Sequence, residues 1–194
     1  VALINTNLNG QPLDYSLGIS QASNLILGSE LSENFSTTTD ETKSNFNTWI
    51  QGDYNDSNYF EDLDKCFDDL SVDKPEVDYK ITNDDAALYI YTSGTTGNPK
   101  AATISHKRLR LMMLGFKGAI QPNKNDRVYN VLPLYHSAGG VIAVGLALTS
   151  GASLVLKRKF SVNEFWDDVY KYKVTIFQYI GELCRYLLNA PTHK

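Results

Sequence analysis

The chain has 194 residues, of which 42% are apolar, 21% charged and 11% aromatic. That composition suits one globular domain, or one and a part, and excludes wholesale disorder, collagen-like repeats and heptad fibres. The net charge of -4 hides an asymmetry, because residues 1–85 hold 17 of the 22 acidic residues but only 4 of the 18 basic ones. Such polarity points to an anionic ligand on the second half, or to a solvated acidic insertion in the first.

In chain order, Val1–Asn5 reads as a buried strand, Pro12–Ser20 as a short helix with proline in its first turn, and Asn24–Gly28 as another buried strand. Residues 29–80 are rich in Ser, Thr, Asn and Asp and show little periodicity. Glu33–Asn58 is expected as loop or surface excursion, and Glu61–Leu70 as a short acidic helix at best. From Asp84 onward the pattern alternates. Ala86–Tyr91 is a strand, Thr92–Lys100 a loop, and Ala101–Ile104 a second strand. Ser105 can cap a helix over His106–Ala119, whose Leu109, Met112, Met113 and Phe116 share one face. Arg127–Leu132 is a strand, Gly139–Leu148 a helix, and Ser153–Leu156 a strand. Ser161-Val162-Asn163-Glu164 forms a capping box, in which the Ser161 hydroxyl accepts from the Glu164 amide and the Glu164 carboxylate reaches back. Phe160 and Phe165 are placed as its hydrophobic staple. That helix runs to about Tyr172; Val174–Tyr179 is a strand and Glu182–Asn189 a helix. The order predicts an α/β fold, a mainly parallel sheet flanked by helices.

Three further features bear on function class. The 26 residues from Val131 to Leu156 carry no Lys, Arg, Asp or Glu. However, Pro133, His136 and four glycines interrupt them, so a buried helix, turn and strand are expected rather than a membrane span. Two cysteines, Cys66 and Cys184, are too few for a disulfide framework or a four-thiolate zinc site, and read as free thiols or a mark of a reducing compartment. No signal peptide is recognisable at Val1, and a start other than Met suggests part of a longer protein.

The segment Tyr91-Thr92-Ser93-Gly94-Thr95-Thr96-Gly97-Asn98-Pro99-Lys100 carries the chemistry. It follows a buried strand. Its glycines let backbone N–H groups converge on an anion, its hydroxyls add neutral donors, and Lys100 adds a mobile positive charge. Hydrogen bonds to a charged group contribute about 1.5–3 kcal/mol each, so several together hold a polyphosphate. It is not a Walker A loop, because Pro99 precedes the lysine and no hydroxyl follows it.

This string resembles the phosphate-binding signature of the adenylate-forming superfamily, which includes acyl-CoA synthetases, luciferases and peptide-synthetase adenylation domains. Val1–Leu8 (VALINTNL), Leu132–Gly139 (LPLYHSAG) and Phe177–Leu188 (FQYIGELCRYLL) are similar to the fatty acid transport protein and very-long-chain acyl-CoA synthetase branch. Residues 29–80 match nothing nameable. The resemblance implies that residues 1–194 are a partial adenylation domain, with 29–80 a polar acidic insertion or loop region and 81–194 the βα core.

It further implies an ATP-dependent ligase that activates a long or very-long-chain fatty acid as an acyl-adenylate and passes it to coenzyme A. Thr92, Ser93, Gly94, Thr95, Thr96, Gly97 and Lys100 would bind the ATP phosphates, with Mg2+ as cofactor and no metal ligand identified. Tyr135, His136, Gln178, Tyr179 and Gly181 would line the substrate pocket. For His136 the alternative is a core histidine satisfied by a carbonyl, and for Gln178–Leu188 a plain core helix. The cluster Lys107, Arg108, Arg110 reads as a solvated face or as an attractor of nucleotide or anionic lipid.

No adenine motif, ribose aspartate, hinge or terminal-domain lysine is found, so no catalytic residue is assigned. These would follow Lys194, and a membrane anchor would precede Val1, giving a membrane-associated intracellular protein with no nucleic-acid partner. The alternatives are a fatty acid transport or trapping protein with ligation secondary, an adenylating enzyme for another carboxylate, and a non-catalytic α/β interaction module.

Overall fold

The computed structural model describes residues 1–54, 60–68, 70–92 and 99–190. Its elements are β1 (Ala2–Leu3), α1 (Gly10–Ser20), β2 (Asn24–Gly28), α2 (Ser32–Ser36), α3 (Asp40–Ser44), β3 (Asn47–Gln51), β4 (Glu61–Asp62) and α4 (Leu63–Asp68). There follow β5 (Ala86–Thr92), β6 (Lys100–Ser105), α5 (His106–Ile120), β7 (Arg127–Asn130), α6 (Val144–Ser150), β8 (Ser153–Leu156), α7 (Val162–Tyr172), β9 (Ile176–Gln178) and α8 (Gly181–Leu188). The chain divides into two compact units, one of residues 2–81 with 91–102, the other of Val1 with 82–90 and 103–194.

In the first unit β2, β3 and β4 pair in parallel, with Leu27 beside Ile50 and Ile50 beside Asp62. Leu13 and Leu17 of α1, Leu27 of β2 and Phe35 of α2 make its core, closed by Leu8, Leu25, Phe46 and Phe60. The expectation of loop over Glu33–Asn58 is therefore corrected. β3 is the central strand of this sheet, burying Thr48 and Ile50 on alternate positions. Thr39 caps α3 by accepting from the Thr42 amide. A five-residue strand that follows two polar helices of five residues each leaves too short a period to stand out from its surroundings. α4 agrees with the expected short acidic helix, though β4 takes its first two residues.

The second unit is built on the parallel sheet β8-β7-β9. Its middle strand is covered on both faces, as a central parallel strand must be. Val128 packs with Ile142, Ala143 and Leu146. Its neighbour Tyr129, pointing the other way, packs with Phe165 of α7 and Leu183 of α8. Helices thus flank the sheet on both sides, the α/β architecture expected from the alternating pattern. Among the described residues no helix is long and apolar enough to cross a membrane. The expected helix over Gly139–Leu148 begins earlier and differently. Ser137–Ala143 is π-helical and passes into α6, which stops at Gly151 with φ of 75°.

The capping box at α7 forms by half. Ser161 Oγ accepts from the Glu164 amide at 3.4 Å, and the Phe160 and Phe165 rings lie 6.0 Å apart as the staple requires. The Glu164 carboxylate does not reach back, however. It accepts from Lys157 Nζ at 3.2 Å, a cation supplied from beyond the helix. Lys157 also pairs with Asp168 at 2.8 Å, and the Tyr129 hydroxyl donates to the same carboxylate oxygen at 2.7 Å. This triad ties β7, the end of β8 and α7 together. Burial works against the Asp168 charge, but Lys157 and Tyr129 outweigh it and hold its carboxyl below the usual range. Burial, followed by the bond to Asp168, pushes the Tyr129 phenol well above its ordinary value. Cys66 and Cys184 are free and half-buried.

Candidate functional site

The glycine- and hydroxyl-rich loop is rooted in β5. Tyr91 ends the buried part of that strand, and its hydroxyl donates to the Ser16 carbonyl of α1 at 2.9 Å. Burial raises the Tyr91 phenol above its ordinary value. Ser16 is itself fully buried, donating to the Pro12 carbonyl at 2.9 Å. Thr92 follows at the surface, and its Oγ1 donates to the Lys100 carbonyl at 3.4 Å. The two ends of the loop are thereby held together, with the Lys100 side chain exposed and without an ion-pair partner among the described residues. Ser93, Gly94, Thr95, Thr96 and Gly97, expected to grip phosphate, lie outside the described residues. Among the described residues no group of His, Cys, Asp or Glu could hold a metal ion. A lysine with neighbouring hydroxyls suits a polyphosphate.

In the other unit, the five expected pocket residues lie at or beyond the carboxyl ends of two strands that are neighbours in the sheet. Asn130 and Gln178 are register partners at the carboxyl ends of β7 and β9. The chain beyond Asn130 leads to Tyr135 and His136, and that beyond Gln178 to Tyr179 and Gly181. Ligands of α/β sheets bind at that end of the strands. The loop over 132–136 is fixed by three devices. Asn130 Oδ1 accepts from the Leu132 amide at 3.1 Å, bending the chain two residues after the strand. The His136 amide donates to the Pro133 carbonyl at 3.1 Å, while the His136 carbonyl accepts from the Gly140 amide at 2.8 Å. Finally, the backbones of Gly139 and Gly140 press on the carbonyls of Leu132, Pro133 and Leu134, so that a Cβ at either position would collide with them.

His136 is exposed rather than a core histidine, with its ring 4.7 Å from that of Tyr135. Tyr179 is half exposed, and its ring stands 5.7 Å from Phe177. Gln178 is half-buried and Gly181 exposed as the first residue of α8.

Two residues escaped the sequence reading. Asn130 is fully buried and leaves its Nδ2 without a partner among the described residues. An Asn two residues before an amide that must turn, just ahead of a proline, was the available signal. Asp168 left no local trace, because its partners are 11 and 39 residues away.

A family model described as AMP-binding enzyme matches residues 1–194. The long-chain fatty acid transport protein 1 of Homo sapiens is 40% identical over 196 residues, covering 100% of this chain and 30% of that relative. The chain therefore spans about a third of the length of the curated relatives it matches. Among solved structures, a Mycobacterium tuberculosis fatty acyl CoA synthetase superposes with a TM-score of 0.81 at 20% identity, over 98% of this chain and 36% of the other. The o-succinylbenzoate coenzyme A synthetase of Bacillus subtilis, in complex with ATP and magnesium ion, gives 0.75 at 22% identity over 98% and 36%.

Proposed function

Because the chain belongs to the AMP-binding enzyme family, we propose that the protein carrying it is an ATP-dependent ligase joining a long or very-long-chain fatty acid to coenzyme A. The observation that supports this most is the loop between Thr92 and Lys100, closed at its base by their hydrogen bond and anchored through Tyr91, within a chain matched along its whole length.

In the first half-reaction a fatty carboxylate oxygen attacks the α-phosphorus of ATP. A P–O bond forms, the bond to pyrophosphate breaks, and acyl-adenylate results. In the second, the coenzyme A sulfur attacks the acyl carbonyl, AMP leaves with the bonding pair, and the thiol proton passes to solvent. The carboxylate needs no deprotonation, so the chain's task is to bring one anion to another and to absorb the charge that develops on pyrophosphate. Thr92, Ser93, Gly94, Thr95, Thr96, Gly97 and Lys100 hold the β- and γ-phosphates in this reading. Magnesium, when bound, would supply neutralisation of the phosphate charge. Tyr135, His136, Gln178, Tyr179 and Gly181 line the acyl and adenylate pocket, His136 in a positioning role.

The chain is the front and middle part of the large N-terminal domain in this reading, and completes catalysis only with the remainder of the protein. In this reading the membrane anchor lies outside the chain, and ligation traps the fatty acid as a charged product, which accounts for the transport name of its relatives. The test is replacement of Thr95 and Thr96 by Ala in the full-length protein. ATP–pyrophosphate exchange driven by a long-chain fatty acid should fall at least 100-fold. Unchanged exchange, or exchange driven only by amino or aryl acids, overturns the reading. Fatty acid uptake that survives in the double variant favours separate transport.

A further inference from the structure

Helix α5 has one face already occupied, since Met113 lies against Gly145 of α6. Its other side carries Lys107, Arg110, Leu111 and Leu114, spaced three and four residues apart along one face. All four are exposed, Leu111 at 63% and Leu114 at 48%. With Asn83 and Asp84 they line a concavity of about 320 Å³. The Arg110 guanidinium donates to Asn83 Oδ1 at 3.1 Å, which fixes it at the rim with further N–H donors facing out. Arg108 is exposed beside them, and none of the three cations has an ion pair among the described residues. Of the nearby acids, Asp85 is engaged by the Thr82 amide and hydroxyl, leaving Asp84 to oppose three positive charges.

We propose that this face of α5 docks on the surface of an anionic phospholipid bilayer. A row of cations alongside exposed leucines on a helix about 22 Å long offers both contacts that a membrane interface takes, to lipid phosphate and to the acyl boundary. The guanidinium and ammonium groups meet the lipid phosphates while Leu111 and Leu114 enter the acyl boundary. A soluble phosphate compound would satisfy the charges but gives no use to the two leucines.

The test uses the full-length protein with a spin label at Leu111→Cys, in a background where native cysteines are replaced by Ser. It is presented with vesicles of phosphatidylcholine alone, or of phosphatidylcholine with phosphatidylserine. With phosphatidylserine the label should become accessible to oxygen and shielded from a water-soluble nickel chelate. Lys107→Gln, Arg108→Gln and Arg110→Gln together should weaken that transfer on the order of 100-fold. A label equally water-exposed with both vesicles overturns the proposal. So does one shielded from both reagents without lipid, which would mean that the remainder of the polypeptide covers the face. Pyrophosphate exchange with soluble octanoate should be unchanged in the triple Gln variant. Absent exchange in the parent protein would count against the ligase reading alone.

Discussion

Tyr129→Phe isolates one hydrogen bond in the core of the second unit. The Tyr129 ring is buried and packs against Phe165 and Phe177, each 5.8 Å away between centroids, so the phenylalanine refills the same space. Only the hydroxyl that donates to Asp168 at 2.7 Å is lost. A hydrogen bond to a charged group contributes about 1.5–3 kcal/mol. Lys157 remains on the same carboxylate oxygen at 2.8 Å, so Asp168 is not left as an unpaired buried charge, and the lower part of that range, about 1.5–2 kcal/mol, is expected. For a domain of this size that is roughly 3–8 °C in Tm. Chemical denaturation followed by near-ultraviolet circular dichroism measures it. A cycle with Asp168→Asn should show coupling above about 0.5 kcal/mol. The pH dependence follows from the direction of the Asp168 shift. Its folded carboxyl lies below the unfolded value, so its contribution is complete above about pH 4 and is lost as pH falls through the folded pKa. The Tyr129 phenol, raised on folding, contributes fully below about pH 10 and loses its contribution above that. A Tyr129→Phe protein within 0.5 kcal/mol of the parent at pH 7, or additive with Asp168→Asn, refutes the triad as a bond between β7 and α7.

Two other changes probe local devices. Gly140→Ala drives a methyl group into the Leu134 carbonyl and should destabilise the chain by about 1–3 kcal/mol by shifting the loop that carries His136; denaturation shows it, and a neutral result would deny the close approach. Ser161→Ala removes the hydroxyl that accepts from the Glu164 amide and should cost about 1 kcal/mol. Glu164→Gln should weaken the contact with Lys157 and leave the start of α7 intact by helical hydrogen exchange, whereas fraying there would restore the full capping box.

Strand and helix alternation from β5 onward was legible because each element there carries its own period and its own punctuation. Ser105 and Ser161 cap helices by bonds to amides three residues on, and β8 spans Ser153–Leu156 as read. Anion chemistry is proposed for the loop beginning at Thr92 for a related reason, since glycine, hydroxyl and lysine side chains offer it through their own atoms. What escaped was whatever depends on distant partners. β3 was hidden because five residues earn the name of strand only when β2 and β4 lie beside them. Glu164 could have closed its own cap, but an ammonium from the end of β8 competes for the same carboxylate. That the segment carrying Tyr135 and His136 and the one carrying Gln178 and Tyr179 leave the same edge of the sheet follows from parallel pairing of β7 with β9 across almost fifty residues, an arrangement that burial of both sheet faces selects and that no local run of residues specifies.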